Sequence, residues 1–259
     1  MSSVPPAIQA QLRTVVESGP TPLFATVSGA HLYGFESPDS DWDLRGAFVA
    51  PLREVIGLVR AEETVSILEE QDGIELDWVA HDVVKFVGML TKRNGYVLEQ
   101  IMSPLVVHGG AWYEELRELA GECLVRPLVH HYKGFAHNQR QLLESGDTTV
   151  KRLLYCYRVL LTGVHALRAG RIESHLPTLL EAQATGAKFE VMELIERKRE
   201  GAEYGALEPG EAERHTQHLD ALMADLADAY ESSALPEKLS VRPALHDFVV
   251  RARLELGSD

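Results

Sequence analysis

The order of apolar and polar positions divides the chain into two unlike halves. In the first, short apolar runs alternate with turn residues. Ile8, Leu12, Val15 and Val16 fall at helical spacing and predict an amphipathic helix over 5–18, stopped by Gly19-Pro20. LFATVSG is a β-branched and aromatic run closed by glycine, which predicts a buried strand over 23–28. WDLRGAFVAP predicts another over 42–49, ended by Pro51. TVSILEE and IELDWVAH flank Gln71-Asp72-Gly73 and predict a hairpin with strands near 64–69 and 74–80. Asp82 then caps a helix whose stripe is Val83, Val84, Phe86, Val87 and Leu90.

Beyond about residue 112 the strand pattern gives way to the helical one. WYEELRELAGECL, PLVHHYKGFAHNQRQLLESG and TTVKRLLYCYRVLLTGVHALRAGRI all carry it. The third is the most regular: Leu153, Tyr157, Leu160, Val164 and Leu167 build one apolar face, Thr148 or Thr149 can cap its start, and Gly170 can end it. Further helices are expected over 190–204, 210–232 and 242–256. The fold class is therefore α+β, with a small mixed sheet flanked by helices in 1–120 and an all-helical domain in 121–259. The boundary is drawn within 110–130.

Composition and charge add three constraints. The 259 residues are 45% hydrophobic and 25% charged, ordinary for a globular protein, and no apolar run is long enough for a membrane span. The start, MSSVPPAIQAQLR, shows no secretory signal, and a cytoplasmic location is expected. The two cysteines, Cys123 and Cys156, sit in helical apolar patterns and read as reduced, buried small hydrophobes. The net charge of −14 argues against indiscriminate binding to polyanions. It is unevenly spread, though. Arg126 to Arg171 carries eight Lys or Arg against Glu144 and Asp147, hence +6, leaving −20 for the rest. Such a segment is either a pair of helices with solvated cations or a local site for phosphates.

The chemistry concentrates in SGAHLYGFESPDSDWDLRG, Ser28 to Gly46. Strand side chains alternate faces, so Asp41 and Asp43 point one way and Trp42 the other. Two carboxylates on one face repel unless a proton or cation neutralises them, and Mg²⁺ is a hard ion suited to oxygen ligands and phosphates. On the second hairpin strand, Ile74, Leu76 and Trp78 form the apolar face, and Glu75 and Asp77 the other. Asp77 is the better placed third acid. Ser28-Gly29-Ala30 is a turn of small residues after a strand, where backbone amides can approach a phosphate; His31, Arg45 and the Ser28 hydroxyl are further donors. Asp39 belongs to the PDSD turn.

This combination resembles the DNA polymerase β-like nucleotidyltransferase superfamily. The fuller string is similar to the predicted nucleotidyltransferases of the bacterial RNA-repair pathway, the RlaP-like branch. KFVGMLTKRNGYVLEQIMSP, YRVLLTGVHALRAGRI and LPEKLSVRPALHDFVVRARLE extend the likeness over about 24–255. The resemblance implies a transfer of NMP from an NTP such as ATP to a hydroxyl, releasing pyrophosphate, with Mg²⁺ or Mn²⁺ held by Asp41, Asp43 and Asp77. It implies an RNA acceptor, a tRNA or an RNA 3′ end, and places Ser28 and Gly29 in the phosphate turn and Asn94 and Glu99 at further family positions. A protein or small-molecule acceptor, or a nucleotide-binding regulator without turnover, are the alternatives. One departure stands out. The family's turn reads Gly-Ser, and here Ala30 follows Gly29, so Ser28 or the backbone amides must replace the usual serine.

Other polar groups have two readings each. Lys151, Tyr155, Arg158, Thr162 and His165 form one stripe on the long helix. It is either a solvent face or a cationic wall in which Lys151 and Arg158 meet a triphosphate or RNA end and Tyr155 stacks on a base. His130, His131 and His137 lack the spacing of a zinc ligand set and read as surface or packing histidines. Trp42, Trp78 and Trp112 read as core aromatics. Glu193, Glu196, Lys198 and Glu200 read as an exposed helix with intrahelical charge pairs.

Overall fold

A computed structural model describes residues 4–59, 62–71, 73–144, 149–183, 185–201, 207 and 210–258. Contact clustering divides the chain into two compact units, and neither is a continuous stretch. The first comprises Met1–Leu32, Asp41–Cys123 and Leu239–Asp259; the second comprises Tyr33–Ser40 and Leu124–Lys238. A single cut at residue 120 therefore misses two exchanges: the last helix lies in the first unit, and an eight-residue stretch before Asp41 lies in the second.

The first unit is built on five strands: β1 (Pro22–Val27), β2 (Trp42–Phe48), β3 (Thr64–Gln71), β4 (Ile74–Asp82) and β5 (Val106–His108), in the order β3-β4-β2-β1-β5. The β2–β4 pair is parallel and the other three pairs are antiparallel. The architecture is thus α+β with a mixed sheet. The strands predicted from alternation are present, each within two residues of the expected ends. The hairpin turn at Asp72 lies outside the described residues. Strand β5 was not expected, because three residues are too short to show a period.

Alternation sets which face of the sheet is buried. Leu44, Leu76, Trp78 and Ala80 pack with Leu12, Val15 and Val16 of α1 (Pro6–Glu17) into one core. Phe24, from the other face of β1, meets Phe86 edge-on at 5.1 Å and stacks on Tyr113 at 5.3 Å. Phe86 belongs to α4 (Val83–Thr91), whose first turn is capped as expected: the Asp82 carboxylate accepts from Val84 N–H at 3.0 Å. Asn94 has the same task for α5 (Gly95–Met102), accepting from Tyr96 N–H at 3.0 Å.

Two further features tighten this unit. Gly46 in β2 faces the backbone of β1 so closely that a Cβ there would lie 2.0 Å from the Phe24 carbonyl oxygen and 2.8 Å from the Trp78 ring. Neither neighbour is a flexible chain end. Gly46→Ala is expected to lower stability by about 3 kcal/mol, the upper part of the overpacking range, read from the urea midpoint of unfolding. The last helix, α12 (Arg242–Leu256), sends Arg253 into the same unit. There it donates to both oxygens of Asp82 at 2.6 and 2.8 Å and to the Ala50 carbonyl at 2.5 Å.

The second unit is helical: α7 (Val129–Glu144), α8 (Val150–Ala169), α9 (Leu176–Ala182), α10 (Lys188–Arg199) and α11 (Glu211–Ser232). Helix α8 is its axis, with α7, α9, α10 and α11 packed against it. Thr149 caps α8 by accepting from Arg152 N–H, and Gly170 ends it in the left-handed conformation with φ 65°. Thr148 lies outside the described residues, as do residues 202–204 at the end of the expected 190–204 helix. The polar stripe on α8 is not a solvent face. Arg158, Thr162 and His165 are buried, and the Arg158 guanidinium lies 4.2 Å from the centre of the Tyr33 ring.

The charge run of α10 holds one exception to its expected exposure. Lys198 is 1% exposed and donates to Ser37 Oγ at 3.3 Å, while neighbouring Arg199 donates to the Gly34 carbonyl at 2.9 Å. These two bonds fix the 33–40 stretch to α10. Cys123 and Cys156 are buried free thiols, and burial pushes each up to about 12. Among the described residues, no helix is long and apolar enough to cross a membrane.

Candidate active site

The site residues of the first unit are gathered by the parallel pairing of β2 with β4. Its register sets Asp43 beside Asp77, with Trp42 beside Leu76 and Leu44 beside Trp78. Apolar neighbours hold the two strands from the core side, so the acids lie together on the opposite face. Asp41 immediately precedes β2. It joins Asp77, Leu76, Leu68, Glu69, Glu70 and Glu75 in lining a groove of about 270 Å³.

Arg45, two residues beyond Asp43 on the same face, ties the pair together. Its Nη2 donates to Asp43 Oδ1 at 2.8 Å and to Asp77 Oδ2 at 2.7 Å; its Nη1 donates to the carbonyls of Leu44 and Asp77. Burial works against its charge, but Tyr96, Asp43 and Asp77 outweigh burial and raise its pKa. Arg45 was expected to meet a nucleotide phosphate. The structure engages it with the carboxylates of Asp43 and Asp77, a bridge that strand alternation allows.

The small-residue turn sits against the same acids. Gly29 has φ 60°, and a Cβ there would come within 1.8 Å of Asp43 Oδ2. Only glycine both adopts that backbone and leaves room for the carboxylate. Ser28 N–H donates to the Asp43 carbonyl at 2.8 Å, while Ser28 Oγ is buried with no hydrogen-bond partner among the described residues. His31, in the short helix α2 (Gly29–Tyr33), stacks on Trp42 with ring centres 3.8 Å apart. Trp42 therefore packs on the turn rather than in the deep core, where Trp78 lies. Glu99 is buried on α5. Lys151, Tyr155 and Arg158 belong to the second unit.

The groove and the turn pose a charge problem that cations answer. Asp41, Glu69, Glu70, Glu75 and Asp77 line one groove, and Glu70 and Glu75 face each other across the β3–β4 pair. Carboxylates so placed repel one another and would repel a triphosphate. The donors are hard oxygens, and Arg45 bonds Asp43 Oδ1 and Asp77 Oδ2. The set suits a hard dication such as Mg²⁺.

Comparison with known proteins places the sequence in a family. The sequence profile of the RNA repair pathway DNA polymerase beta family, RlaP, matches residues 4–251. The chain belongs to this family. It is 31% identical over 156 residues to the uncharacterized protein MJ0002 of Methanocaldococcus jannaschii, a match that spans 59% of this chain and 63% of the archaeal protein. It is 29% identical over 187 residues to the uncharacterized protein YcgL of Bacillus subtilis, spanning 70% of this chain and 71% of that one. A crystal structure of a nucleotidyltransferase-like protein from Exiguobacterium sibiricum 255-15 aligns over 96% of this chain and 88% of its own, at 10% identity and a TM-score of 0.32. In this RlaP-family chain the Asp-x-Asp pair and the glycine turn are in one unit, whereas the basic α8 stripe is in the other.

Proposed function

We propose that this RlaP-family protein transfers a nucleoside monophosphate from an NTP to a hydroxyl at an RNA end, with a divalent cation held by Asp41, Asp43 and Asp77. The observation that carries the proposal is the parallel β2–β4 register, which seats Asp43 beside Asp77 against Gly29. Bound Mg²⁺ or Mn²⁺ would supply two things, a lowered pKa for the attacking hydroxyl and charge compensation for the leaving pyrophosphate.

The remaining work falls to the chain's own residues. Gly29 keeps the turn close to Asp43, which brings phosphate and carboxylate into one site. Arg45 fixes the Asp43 and Asp77 carboxyl groups by one oxygen each and so limits their rotation. Ser28, whose hydroxyl is buried without a partner among the described residues, is the hydroxyl of the turn that Ala30 does not supply. Lys151, on α8 of the second unit, is proposed as a cation for the RNA end, whereas Arg158 is buried there under the Tyr33 ring.

The test is incubation of the purified protein with labelled NTPs, Mg²⁺ or Mn²⁺, and RNAs with defined ends. Label is expected in RNA only when the metal is present. Absence of transfer, or transfer that survives loss of both Asp41 and Asp43, would overturn the proposal. The net charge of −14 favours a second reading, in which the acceptor is a protein or small-molecule hydroxyl rather than a long polyanion. Mass spectrometry of cell extract treated with labelled NTP decides between them, since label confined to RNA excludes the second.

A further inference from the structure

Helices α10 and α11 bring three metal-ligating side chains together in the second unit. Glu190 stands in the first turn of α10, and His215 and His218 stand three residues apart on α11. One ligand atom from each lies within 4.8 Å of the other two. None of these residues belongs to the acidic groove.

Four observations show what this cluster lacks. His218 Nδ1 and Glu190 Oε2 are 3.2 Å apart and both buried, yet neither has a hydrogen-bond partner among the described residues. Leaving two buried polar atoms unsatisfied is costly, and one cation between them satisfies both. Second, their spacing is that of two ligands on a single ion. Donors about 2.05 Å from a tetrahedral zinc stand about 3.3 Å apart.

Third, His215 is arranged as metal-bound histidines are. Its Nδ1 is 2.7 Å from the Tyr157 hydroxyl, a buried contact, so Nε2 is the nitrogen that can face an ion. A ligating histidine whose other ring N–H donates to an oxygen is the usual pattern, because the donor bond fixes tautomer and ring orientation. Glu211 Oε1 lies 3.9 Å from Nε2 and is itself bound by Arg197 Nη1 at 2.6 Å. Fourth, an ion can enter. The side chain of His215 is 3% exposed, but those of His218 and Glu190 are 30% and 43% exposed. The cluster is sealed on the α8 side and open on the other.

From this geometry we propose that Glu190 Oε2, His215 Nε2 and His218 Nδ1 form a zinc site, with solvent at the fourth position. Two imidazoles and one carboxylate suit zinc and its borderline neighbours rather than Mg²⁺. The ion pins α10 to α11. Tyr157 adds α8 to the same assembly, because its hydroxyl orients His215. The site is separate from the acidic groove, and its existence does not depend on the transfer reaction.

The test uses the full chain, stripped with a chelator and titrated with zinc alone against a chromophoric competitor, with metal content measured in parallel. One equivalent is expected to bind and to raise the melting temperature. Glu190→Gln and His218→Ala, both at partly exposed positions, are each expected to weaken zinc at least about 100-fold. Tyr157→Phe is expected to weaken it about 10-fold through the lost orienting bond. Asp43→Asn is expected to leave zinc uptake unchanged, which separates this site from the groove. Cobalt in place of zinc is expected to give the visible absorption of a tetrahedral ion and to be displaced by zinc. The proposal is overturned if the stripped protein takes up no zinc, as a simple His218–Glu190 ion pair would require. It is equally overturned if the folded Glu190→Gln/His218→Ala protein binds zinc as tightly as wild type. Should that double variant not fold, the cobalt spectrum of the wild type decides: an octahedral spectrum, or none, refutes the site.

Discussion

Asp43→Asn is expected to slow nucleotide transfer on the order of 10³-fold while leaving the protein folded. Each half of this expectation has its own cause. The substitution removes a charged oxygen beside Asp77 and against the glycine turn, where a cation and a phosphate would meet. Loss of a preorganised charge at the reacting centre falls at the upper end of what single groups contribute to rate. The fold survives because asparagine has nearly the same shape and Arg45 still donates to Asp77 and to two carbonyls. Single-turnover transfer rates at saturating Mg²⁺ and a thermal melt measure the two halves. Asp39→Asn, in the preceding turn, is the control and is expected to transfer normally. Equal loss in both variants would remove Asp43 from the reaction.

Arg253→Met is expected to cost about 3–5 kcal/mol of stability, the largest effect anticipated outside the candidate active site. Arg253 and Asp82 form a buried ion pair in which the guanidinium meets both carboxylate oxygens. Methionine fills much of the space but leaves Asp82 charged and buried with only its bonds to Ala50 N–H and Val84 N–H. It also leaves the Ala50 carbonyl without its guanidinium donor. The reading is a shift of the urea midpoint with unchanged slope. Arg251, two residues earlier in α12, makes the contrast. It pairs with Glu115 and Asp247 at the surface, and Arg251→Met is expected to shift the midpoint by a small fraction of the Arg253 effect.

Much of the fold is legible in the chain because periodicity is a local property. Strands β1 to β4 and the helices α1, α4, α8, α11 and α12 announce themselves through spacing of two or of three and four. What is not legible is whatever depends on partners distant in sequence. The β2–β4 pairing is parallel between residues 34 positions apart in sequence, and nothing near Trp42 or Leu76 encodes it. The α8 stripe reads as polar, yet Arg158 is buried because Tyr33, 125 residues earlier, covers it. Lys198 is hidden in the same way by Ser37. Within the candidate site, same-face placement of Asp41 and Asp43 follows from alternation. The grip of Arg45 on Asp43 and Asp77 needs the neighbouring strand to be known. His215 and His218 are three apart in a helical run, which is visible, but Glu190 completes the set only after α10 and α11 have packed.

The two-part make-up of the first unit has a consequence for synthesis. The acidic groove is lined by residues 41 to 77, yet Asp82 waits for Arg253, which is made 171 residues after it. The second unit lies almost wholly between them and can begin to fold while the ribosome is still extending the chain. The sheet unit, by contrast, keeps Asp82 without its guanidinium partner and the Ala50 carbonyl without its donor until α12 arrives. The unit that carries the candidate chemistry is thus begun before the helical one and closed after it.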